Sequence, residues 1–555
     1  MAHPRSTGGA PDGRIRLVRL LIVVAFVAIA GRAMALTATS SGLAAAADSQ
    51  QQRTIEVRAH RGQIVDRTGE VLAAAKEMRT VWATPREIKD PVDAATRLAK
   101  LLKVPRKPLL RALSDRGSWY AVVARGVEPA LAQRALDLGI VGVGASAEEG
   151  RDYPKRSVAA QVVGFVGTEG KGLAGLEYQY DEVLAGTPGK ELVVKDPAGR
   201  ALKTERLVAP QAGKTIRLTL DQYIQAEAER ALVDAVRHYK AKAAVAIVLD
   251  PKTGEILAMA NAPLINANAF GKRPEYQRNR VVTDSFEPGS IFKVLTVSAA
   301  LEEGLVTPSK SFVLPYRLKV GDKWIRESHP RGTQRFTVRQ ILAQSSNVGA
   351  AVLGKMLGEE KLKTWIQRFG FVARTGLDFP GEVAGLMPGF WSVATTGNVP
   401  MGQGISVTPI QIAAAYAAVA NDGVWLKPHL VAQIGETVVN PSGARRVLSS
   451  EVSRQVLGMM NDAVMEGTGT AFQISGYKAA GKTGTAQKAD LQRGGYAAGR
   501  YVASFVGVVP SDDPRLVVLV AVDEPSGAIY GGAVAAPTAK RIAEFALQHL
   551  KIAPP

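Results

Sequence analysis

The chain has 555 residues, of which 46% are hydrophobic and 21% charged, which is long and apolar enough for two or three folded domains. Its formal net charge of +19 comes from scattered Lys and Arg residues, and only 6% of residues are aromatic, which argues against a nucleic-acid-binding surface. The sequence contains no cysteine and only six histidines, which excludes disulfides and thiolate chemistry and argues against a metal site.

One strongly apolar segment, residues 20–30, lies near the N-terminus and follows Arg5, Arg14, Arg16 and Arg19. Positive charge before such a segment predicts a cytoplasmic N-terminus and an exported body. Because a bilayer core needs about 20 apolar residues, we expect the membrane span to cover residues 17–40, after a cytoplasmic tail of residues 1–16. A cleaved signal peptide fits the same pattern, since small residues follow at 44–47. Either alternative places the body of the chain outside the cytoplasm.

Residues 50–213 are predicted to form a mixed, non-catalytic domain. Two short apolar pairs, residues 64–65 and 71–72, flank Asp66-Arg67-Thr68-Gly69, whose composition is typical of a tight turn between strands. Helix-like stretches follow at residues 93–102 and 129–138. Since nothing in this region brings a nucleophile to a base, we assign it no chemistry.

Residues 214–555 are predicted to form an α+β domain. Its pattern begins with a helix and two strands, continues with a largely helical middle at residues 290–467, and ends with three strands and a helix. The predicted strands are residues 243–249, 255–260, 478–485, 501–509 and 516–522, and the flanking helices are residues 221–239 and 533–550. This order predicts one antiparallel sheet with helices packed against it.

The first candidate catalytic string is Ser290-Ile-Phe-Lys293. It follows Glu287-Pro-Gly and opens a stretch with helical periodicity, so Ser290 is predicted at a helix N-terminus with Lys293 on the same face. A hydroxyl nucleophile needs a base, and burial at a helix N-terminus favours the neutral amine of lysine. The backbone N–H of Ser290 would serve an oxyanion there. An isolated match of this kind would instead indicate an N-capping serine and a surface lysine.

The second string is Ser345-Ser346-Asn347, a polar cluster between two apolar runs. On its own it is typical of a helix junction or N-cap. In an active site, the Ser345 hydroxyl would relay a proton between Lys293 and the leaving amine. Asn347 would then hydrogen-bond both Lys293 and the amide of the bound substrate.

The third string is Lys482-Thr483-Gly484-Thr485, in a run of small and alternating residues. Such a strand suits pairing with a substrate backbone, because Gly484 leaves room for a close approach. Lys482 with Thr483 or Thr485 would bind a substrate carboxylate, and the Thr485 N–H would be a second oxyanion donor. The alternative is that these residues have no function and form only an edge strand weakened by Gly484.

The order of the three strings separates them from chance copies. Ser475-Gly-Tyr-Lys478 leads into a predicted strand and Lys252-Thr253-Gly254 lies in a predicted turn, so neither copy has the required context. In the order nucleophile helix, polar loop and carboxylate-binding strand, the strings resemble the signature of the penicilloyl serine transferases. That resemblance implies a serine enzyme that acylates itself on an amide-like substrate.

Within that superfamily the chain resembles the class B penicillin-binding proteins over nearly its whole length. Motifs similar to those of the family's pedestal and transpeptidase domains occur at residues 61–69, 151–154, 172–177, 402–409 and 530–532. Arg156 departs from the pedestal motif, which more often has glycine at this position. The implied fold is a transpeptidase domain with a five-stranded antiparallel sheet, an N-terminal pedestal of the dimerisation type and one transmembrane helix.

The resemblance implies a peptidoglycan D,D-transpeptidase that works without metal or organic cofactor. Ser290 would attack the D-Ala-D-Ala bond of a stem peptide, and β-lactams would acylate the same serine. Within the family the chain looks most like the septum-forming branch, whose partners are a glycan polymerase of the SEDS type and other division proteins. An elongation enzyme shares every motif, and a β-lactamase or a β-lactam sensor remains an alternative.

Overall fold

The computed structural model describes residues 12–195, 201–490 and 494–554, which form two compact units. One unit comprises residues 1–59 and 187–212, and the other comprises residues 60–186 and 213–555. Residues 1–11 of the predicted cytoplasmic tail lie outside the described residues.

The first unit combines a long helix with a small sheet. The helix Asp12–Gln51 contains a 25-residue apolar segment, Gly13–Thr37, in which no residue is buried. At 1.5 Å per residue this segment is about 38 Å long, which is enough to cross a bilayer core. The sheet is antiparallel and consists of the strands Gln52–Val57, Gly189–Lys195 and Ala201–Val208.

The second unit begins with a mixed region built on a long strand, Val71–Ala83. This strand pairs antiparallel with Val143–Asp152 and Ala121–Val127, and Ile64–Val65 joins it through the predicted Asp66–Gly69 turn. The remaining strands of the region are Phe165–Val166, Gly172–Ala174 and Ile216–Leu218. Its helices are Pro91–Leu102, Arg106–Ser114, Pro129–Leu136, Ala160–Val163, Gly175–Gln179 and Asp181–Ala185.

Three of the pedestal-like motifs meet at one buried carboxylate, Glu177. The Arg61 Nε donates to Glu177 Oε2 at 2.8 Å, and the Arg151 Nε donates to Glu177 Oε1 at 2.7 Å. A second Arg61 nitrogen donates to Asp181 at 2.7 Å. Motifs from distant parts of the sequence therefore form one polar cluster, which we call the Glu177 cluster (Arg61, Arg151, Glu177 and Asp181).

Arg156, the residue that departs from the pedestal motif, has φ of +56°. That left-handed conformation favours glycine, because a Cβ clashes with the following carbonyl. Arg156 therefore adopts a conformation that suits the glycine of the motif, at some cost in backbone strain.

The catalytic region of the second unit contains a five-stranded antiparallel sheet, which we call the central sheet. In spatial order its strands are Ile256–Ala262, Ala243–Leu249, Leu516–Asp523, Tyr496–Val509 and Ala480–Ala489. The predicted strands all exist, although Ala480–Ala489 and Tyr496–Val509 extend the hairpin beyond its expected ends. Ala480–Ala489, which we call the Lys482 strand, forms one edge.

Alternation along the strands places a hydrophobic core on each face of the central sheet. Val245, Ile247 and Leu249 face the helical middle, whereas Ala244, Ala246 and Val248 face the other side. Two helices cover that other side, Gln222–His238 and Ala536–His549. Both sheet faces are therefore buried, so the central sheet is a rigid support for the polar strings.

The helical middle is less uniformly helical than the sequence predicts. Its longer helices are Lys293–Glu302, Val338–Ala343, Asn347–Arg368, Val393–Asn398, Pro409–Ala420 and Ser450–Met465. Small strand pairs interrupt them: Ser311–Leu314 with Gln334–Thr337, Arg317–Val320 with Lys323–Arg326, and Val424–Trp425 with Arg445–Arg446. The short helices Arg280–Thr283 and Gly531–Val534 flank the sheet.

Candidate active site

Ser290 lies in a single 3-10 turn, Gly289–Phe292, that runs directly into the helix Lys293–Glu302. The sequence predicts a helix N-terminus here, and the tighter 3-10 turn is its first part. Gly289 has φ of +56°, and a Cβ at this position would lie 2.9 Å from the Thr485 carbonyl oxygen. Glycine therefore allows the turn to approach the Lys482 strand, while the Ser290 side chain stays partly exposed.

Lys293 is fully buried, and its amine is held by the second string. Its Nζ donates to the Ser345 carbonyl oxygen at 2.7 Å and to Asn347 Oδ1 at 2.6 Å. Burial lowers the pKa of Lys293 to about 7, and the nearby negative charge of Glu327 acts in the opposite direction. A neutral amine is therefore accessible near physiological pH.

Ser345 brings the lysines of the first and third strings together. Its hydroxyl accepts a hydrogen bond from Lys482 Nζ at 2.8 Å and lies 3.4 Å from Lys293 Nζ. Ser345 has φ of +59°, a strained conformation that turns its side chain and carbonyl toward the lysines. Burial, and then the charge of Lys293, hold the pKa of Lys482 well below its usual range.

Asn347 begins the helix Asn347–Arg368, and Ser346 is its N-cap. The Asn347 side chain accepts from Lys293 and donates its Nδ2 hydrogen to the Arg326 carbonyl at 2.8 Å. Both sides of the amide are thus engaged, which fixes its orientation.

Glu327, which was not identified from the sequence, accepts hydrogen bonds from two residues of the second string. Its Oε2 accepts the Asn347 N–H at 2.7 Å, and its Oε1 accepts the Ser346 hydroxyl at 2.5 Å. Arg331 donates to the same carboxylate at 2.6 Å. We call Lys293, Lys482, Ser345, Asn347 and Glu327 the lysine cluster.

A second missed residue, Tyr416, supports the nucleophile turn. Its fully buried hydroxyl donates to the Ile291 carbonyl oxygen at 2.7 Å. Tyr416 sits within an apolar helix, Pro409–Ala420, so only the hydroxyl distinguishes it from a core residue in sequence.

The Lys482 strand presents the third string at the edge of the central sheet. Gly484 contacts neighbours so closely that a Cβ would lie 2.3 Å from Ser504 Oγ and 3.0 Å from an Ile291 methyl group. Thr483 pairs its hydroxyl with that of Thr468 at 2.8 Å, and Thr485 Oγ1 accepts the Gly531 N–H at 3.2 Å. These contacts hold both threonines in place beside Lys482.

The structure therefore brings Lys293, Ser345, Asn347 and Lys482 into direct contact, with Ser290 one helical turn from Lys293. The two chance copies, which we call the decoy strings, lie elsewhere: Ser475 is exposed in a turn, and Lys252 pairs with Asp513 at the surface. Within the described ranges no group of three or more acidic, histidine or cysteine side chains is placed to hold a metal ion. The arrangement can activate a hydroxyl and bind an anion next to it.

Two family models match the chain. The model described as penicillin binding protein transpeptidase domain matches residues 244–544, and that described as penicillin-binding protein dimerisation domain matches residues 56–218. The first match includes all three strings of the site, and the second includes the Glu177 cluster.

Individual proteins show the same similarity over most of their length. The "Probable peptidoglycan D,D-transpeptidase PenA" of Neisseria meningitidis is 36% identical, over 98% of this chain and 94% of the relative. The peptidoglycan D,D-transpeptidase FtsI of Escherichia coli is 33% identical, over 91% of this chain and 86% of the relative. The crystal structure of penicillin binding protein 3 from Mycobacterium tuberculosis in complex with aztreonam is 30% identical, with a TM-score of 0.71, over 90% of this chain and 98% of that one.

Proposed function

The chain belongs to the class B penicillin-binding proteins, the D,D-transpeptidases of peptidoglycan, and we propose that it cross-links stem peptides through an acyl-enzyme on Ser290. The observation that carries the mechanism is the convergence of Lys293 and Lys482 on Ser345. Ser290, Lys293, Ser345, Asn347 and Lys482 form the proposed catalytic set, with Thr483, Gly484 and Thr485 as the substrate-binding strand.

The contacts of Lys293 support its role as base. A neutral amine has two hydrogens and one lone pair, and the two short contacts to the Ser345 carbonyl and Asn347 Oδ1 use both hydrogens. The remaining lone pair is available for the Ser290 proton. A base with a pKa near 7 is also well matched to neutral pH.

Acylation then proceeds by addition and elimination. As Lys293 takes the Ser290 proton, the Ser290 oxygen attacks the carbonyl of the penultimate D-Ala, and the backbone N–H groups of Ser290 and Thr485 bind the oxyanion. The C–N bond breaks, and the leaving D-Ala amine receives a proton from Lys293 through the Ser345 hydroxyl. The product is an ester on Ser290 and free D-Ala.

Deacylation uses the same groups in reverse. An amine of a neighbouring stem peptide gives up a proton through Ser345 and attacks the ester, and the Ser290 oxygen leaves and regains its proton from Lys293. One amide is broken and one is formed, so the reaction needs no external energy source. No metal or organic cofactor takes part in this proposal.

Substrate binding rests on the Lys482 strand. The terminal carboxylate of the stem peptide would bind Lys482 with Thr483 or Thr485, and this negative charge would favour the ammonium form of Lys482 that burial disfavours in the free enzyme. Asn347 would hydrogen-bond the amide of the bound peptide. Because the strand is an edge, its outer backbone groups are open to the substrate.

Labelling with a fluorescent penicillin tests the proposed nucleophile. We expect the full-length protein to be labelled and Ser290→Ala to be unlabelled, with Ser475→Ala labelled as the wild type because Ser475 lies in the decoy string. Label on Ser290→Ala, or none on the wild type, contradicts the proposal. An adduct that persists for minutes supports a transpeptidase, whereas one lost within seconds indicates a β-lactamase.

We assign the protein to septal wall synthesis, with elongation as the second candidate. The support is the resemblance of the sequence to the septum-forming branch, whose catalytic motifs the elongation branch shares. Depletion in living cells separates the two: filaments are expected for a division enzyme and rounded cells for an elongation enzyme. A glycan polymerase of the SEDS type and other division proteins are the proposed partners.

The proposed location is the cell membrane, with residues 17–40 as the anchor and the catalytic domain outside the cytoplasm. The apolar helix Gly13–Thr37 supports a single span, and the arginines before it support a cytoplasmic N-terminus. We retain residues 50–213 as the pedestal and 214–555 as the transpeptidase domain. Protease protection of a C-terminal tag in spheroplasts would contradict the orientation.

A further inference from the structure

Glu287 lies three residues before Ser290 and is not part of the machinery described above. Its side chain is half-buried, and its Oε1 accepts the backbone N–H of Gly404 at 2.9 Å. The Tyr496 hydroxyl donates to Oε2 at 3.1 Å. Glu287 therefore connects the nucleophile turn to Gly404 and to the turn end of the hairpin that carries the Lys482 strand.

Both partners of this carboxylate are neutral. Among the residues that the structure describes, no lysine, arginine or histidine nitrogen forms an ion pair with Glu287. Asp284, three residues earlier, differs in this respect, because Arg278 and Arg280 donate to it at 3.0 and 2.8 Å. Burial raises the pKa of the Glu287 carboxyl, while the hydrogen bonds from Gly404 and Tyr496 lower it. An incoming cation would offset this desolvation.

The position of Glu287 along the substrate strand follows from the register. Tyr496 pairs with Ala489, the last residue of the Lys482 strand, whereas the oxyanion donor Thr485 lies four residues earlier. At about 3.3 Å per residue the two positions are about 13 Å apart. A peptide antiparallel to this strand, with its C-terminal carboxylate at Lys482, extends its upstream residues toward Ala489 and hence toward Glu287.

The proposed reaction determines which chemical group reaches that end. The acceptor in the transfer step is an amine on a stem peptide, and the donor is a stem peptide of the same kind. The donor therefore carries a side-chain amine too, on the N-terminal side of its D-Ala-D-Ala bond, and this amine is an ammonium ion at neutral pH.

We propose that Glu287 binds the side-chain ammonium group of the donor stem peptide and so selects donors that carry one. The inference rests on the proposed transpeptidase function and adds a cation subsite beside the Ala489 end of the Lys482 strand, away from Lys482 itself. The two ends then recognise opposite charges: Lys482 binds the terminal carboxylate, and Glu287 binds the amine. A donor lacking the amine would be bound at one end only.

Two synthetic donor peptides test this subsite, one with the free side-chain amine and one with that amine acetylated. The measured quantity is the ratio of their rates of acyl-enzyme formation on the full-length protein, followed by mass spectrometry of the intact chain. We expect the wild type to favour the free amine about tenfold, the effect of one charge-assisted hydrogen bond. Glu287→Gln keeps an acceptor for Gly404 and Tyr496 but loses the charge, so its ratio should approach one.

Asp284→Asn is the matched control, because it removes one negative charge from the same segment at a site already neutralised by two arginines. Its ratio should equal that of the wild type. An unchanged preference in Glu287→Gln overturns the inference, and so does a preference that appears only when the amine is varied on the acceptor. Absence of any acyl-enzyme while Ser290 is intact would instead overturn the proposed function, so the two failures are distinguishable.

Discussion

The protein contains two buried clusters of charged side chains with opposite designs. In the Glu177 cluster two arginines meet two carboxylates, so every charge has a partner of opposite sign. In the lysine cluster two fully buried lysines share the Ser345 hydroxyl, and the carboxylate of the cluster, Glu327, is already engaged by Arg331. One cluster is balanced, and the other brings like charges together.

This difference between the two clusters shows how buried charges can either stabilise a fold or provide a reactive group. In the Glu177 cluster burial lowers the pKa of Arg61, but Glu177 and Asp181 more than compensate and its pKa is raised, so the guanidinium stays charged. In the lysine cluster burial lowers the pKa of Lys293 to about 7 and holds that of Lys482 well below its usual range. Balanced charge holds distant motifs together, whereas unbalanced charge supplies an amine that can accept a proton.

The largest expected effect is the loss of the proposed base, Lys293. Lys293→Ala should reduce the acylation rate by a penicillin about 1,000-fold or more, because Ser290 then has no group to take its proton. The rate constant for label incorporation measures this. Lys478→Ala, the lysine of the decoy string, is the matched control and should react as the wild type. If Lys293→Ala reduced the acylation rate constant by less than about tenfold, Lys293 would not be the base.

A substitution in the Glu177 cluster should lower the stability of the fold rather than slow the reaction directly. Glu177→Gln keeps the shape of the side chain but leaves two buried arginines short of negative charge, which should lower the free energy of unfolding by about 3–5 kcal/mol. Denaturant titration measures the change, with the exposed Glu182→Gln as control. A stable Glu177→Gln protein would show that the cluster does not hold the motifs together.

Glu327 has both a structural and an electrostatic effect. It positions the polar loop through hydrogen bonds to Ser346 and Asn347, and its charge acts on Lys293. Glu327→Gln should slow acylation about tenfold by weakening the hydrogen bonds to Ser346 and Asn347. Because the negative charge of Glu327 raises the pKa of Lys293, its removal should also move the acid limb of the acylation profile to lower pH. A slower enzyme with an unmoved limb would indicate a purely structural role.

The smallest expected effect concerns Arg156, outside both clusters. Since its φ is +56°, Arg156→Gly should relieve backbone strain, and after the entropy cost of glycine we expect a gain of about 0.5 kcal/mol in the free energy of unfolding. Thermal unfolding at fixed pH measures it, and Arg156→Ala, which keeps the Cβ, should show no such gain. If Arg156→Gly were less stable, the arginine side chain would stabilise the fold by more than its left-handed backbone destabilises it.

Elements with a strong local signal were predictable from the sequence. The strand Ala243–Leu249 has its predicted bounds, because it is a continuous apolar run that ends at Asp250-Pro251. The strings at Ser290, Ser345 and Lys482 were also recognisable, since each carries polar or small residues in a context that excludes the decoys. What the strings could not show is that Ser345 contacts both lysines, which depends on a left-handed residue between two helices.

The missed residues lack any such local signal. Glu327 directly follows the short strand Lys323–Arg326, which interrupts the helical middle. It lies 19 and 20 residues before Ser346 and Asn347, and nothing nearby in the sequence marks it as their partner. Tyr416 looks like one more apolar residue of a core helix, and only its contact with Ile291 shows its role. Both contacts arise from tertiary packing, which residue patterns along one chain do not encode directly.

The pH dependence of acylation of the wild-type protein by a penicillin tests the central claim, that burial beside a second lysine makes Lys293 a neutral base at physiological pH. Below its pKa Lys293 is an ammonium ion and cannot accept the Ser290 proton, so the rate should rise with pH through about 7 and then level off. A rate that is constant between about pH 5 and pH 9, or that rises only near the ordinary lysine pKa of about 10.4, would contradict the claim.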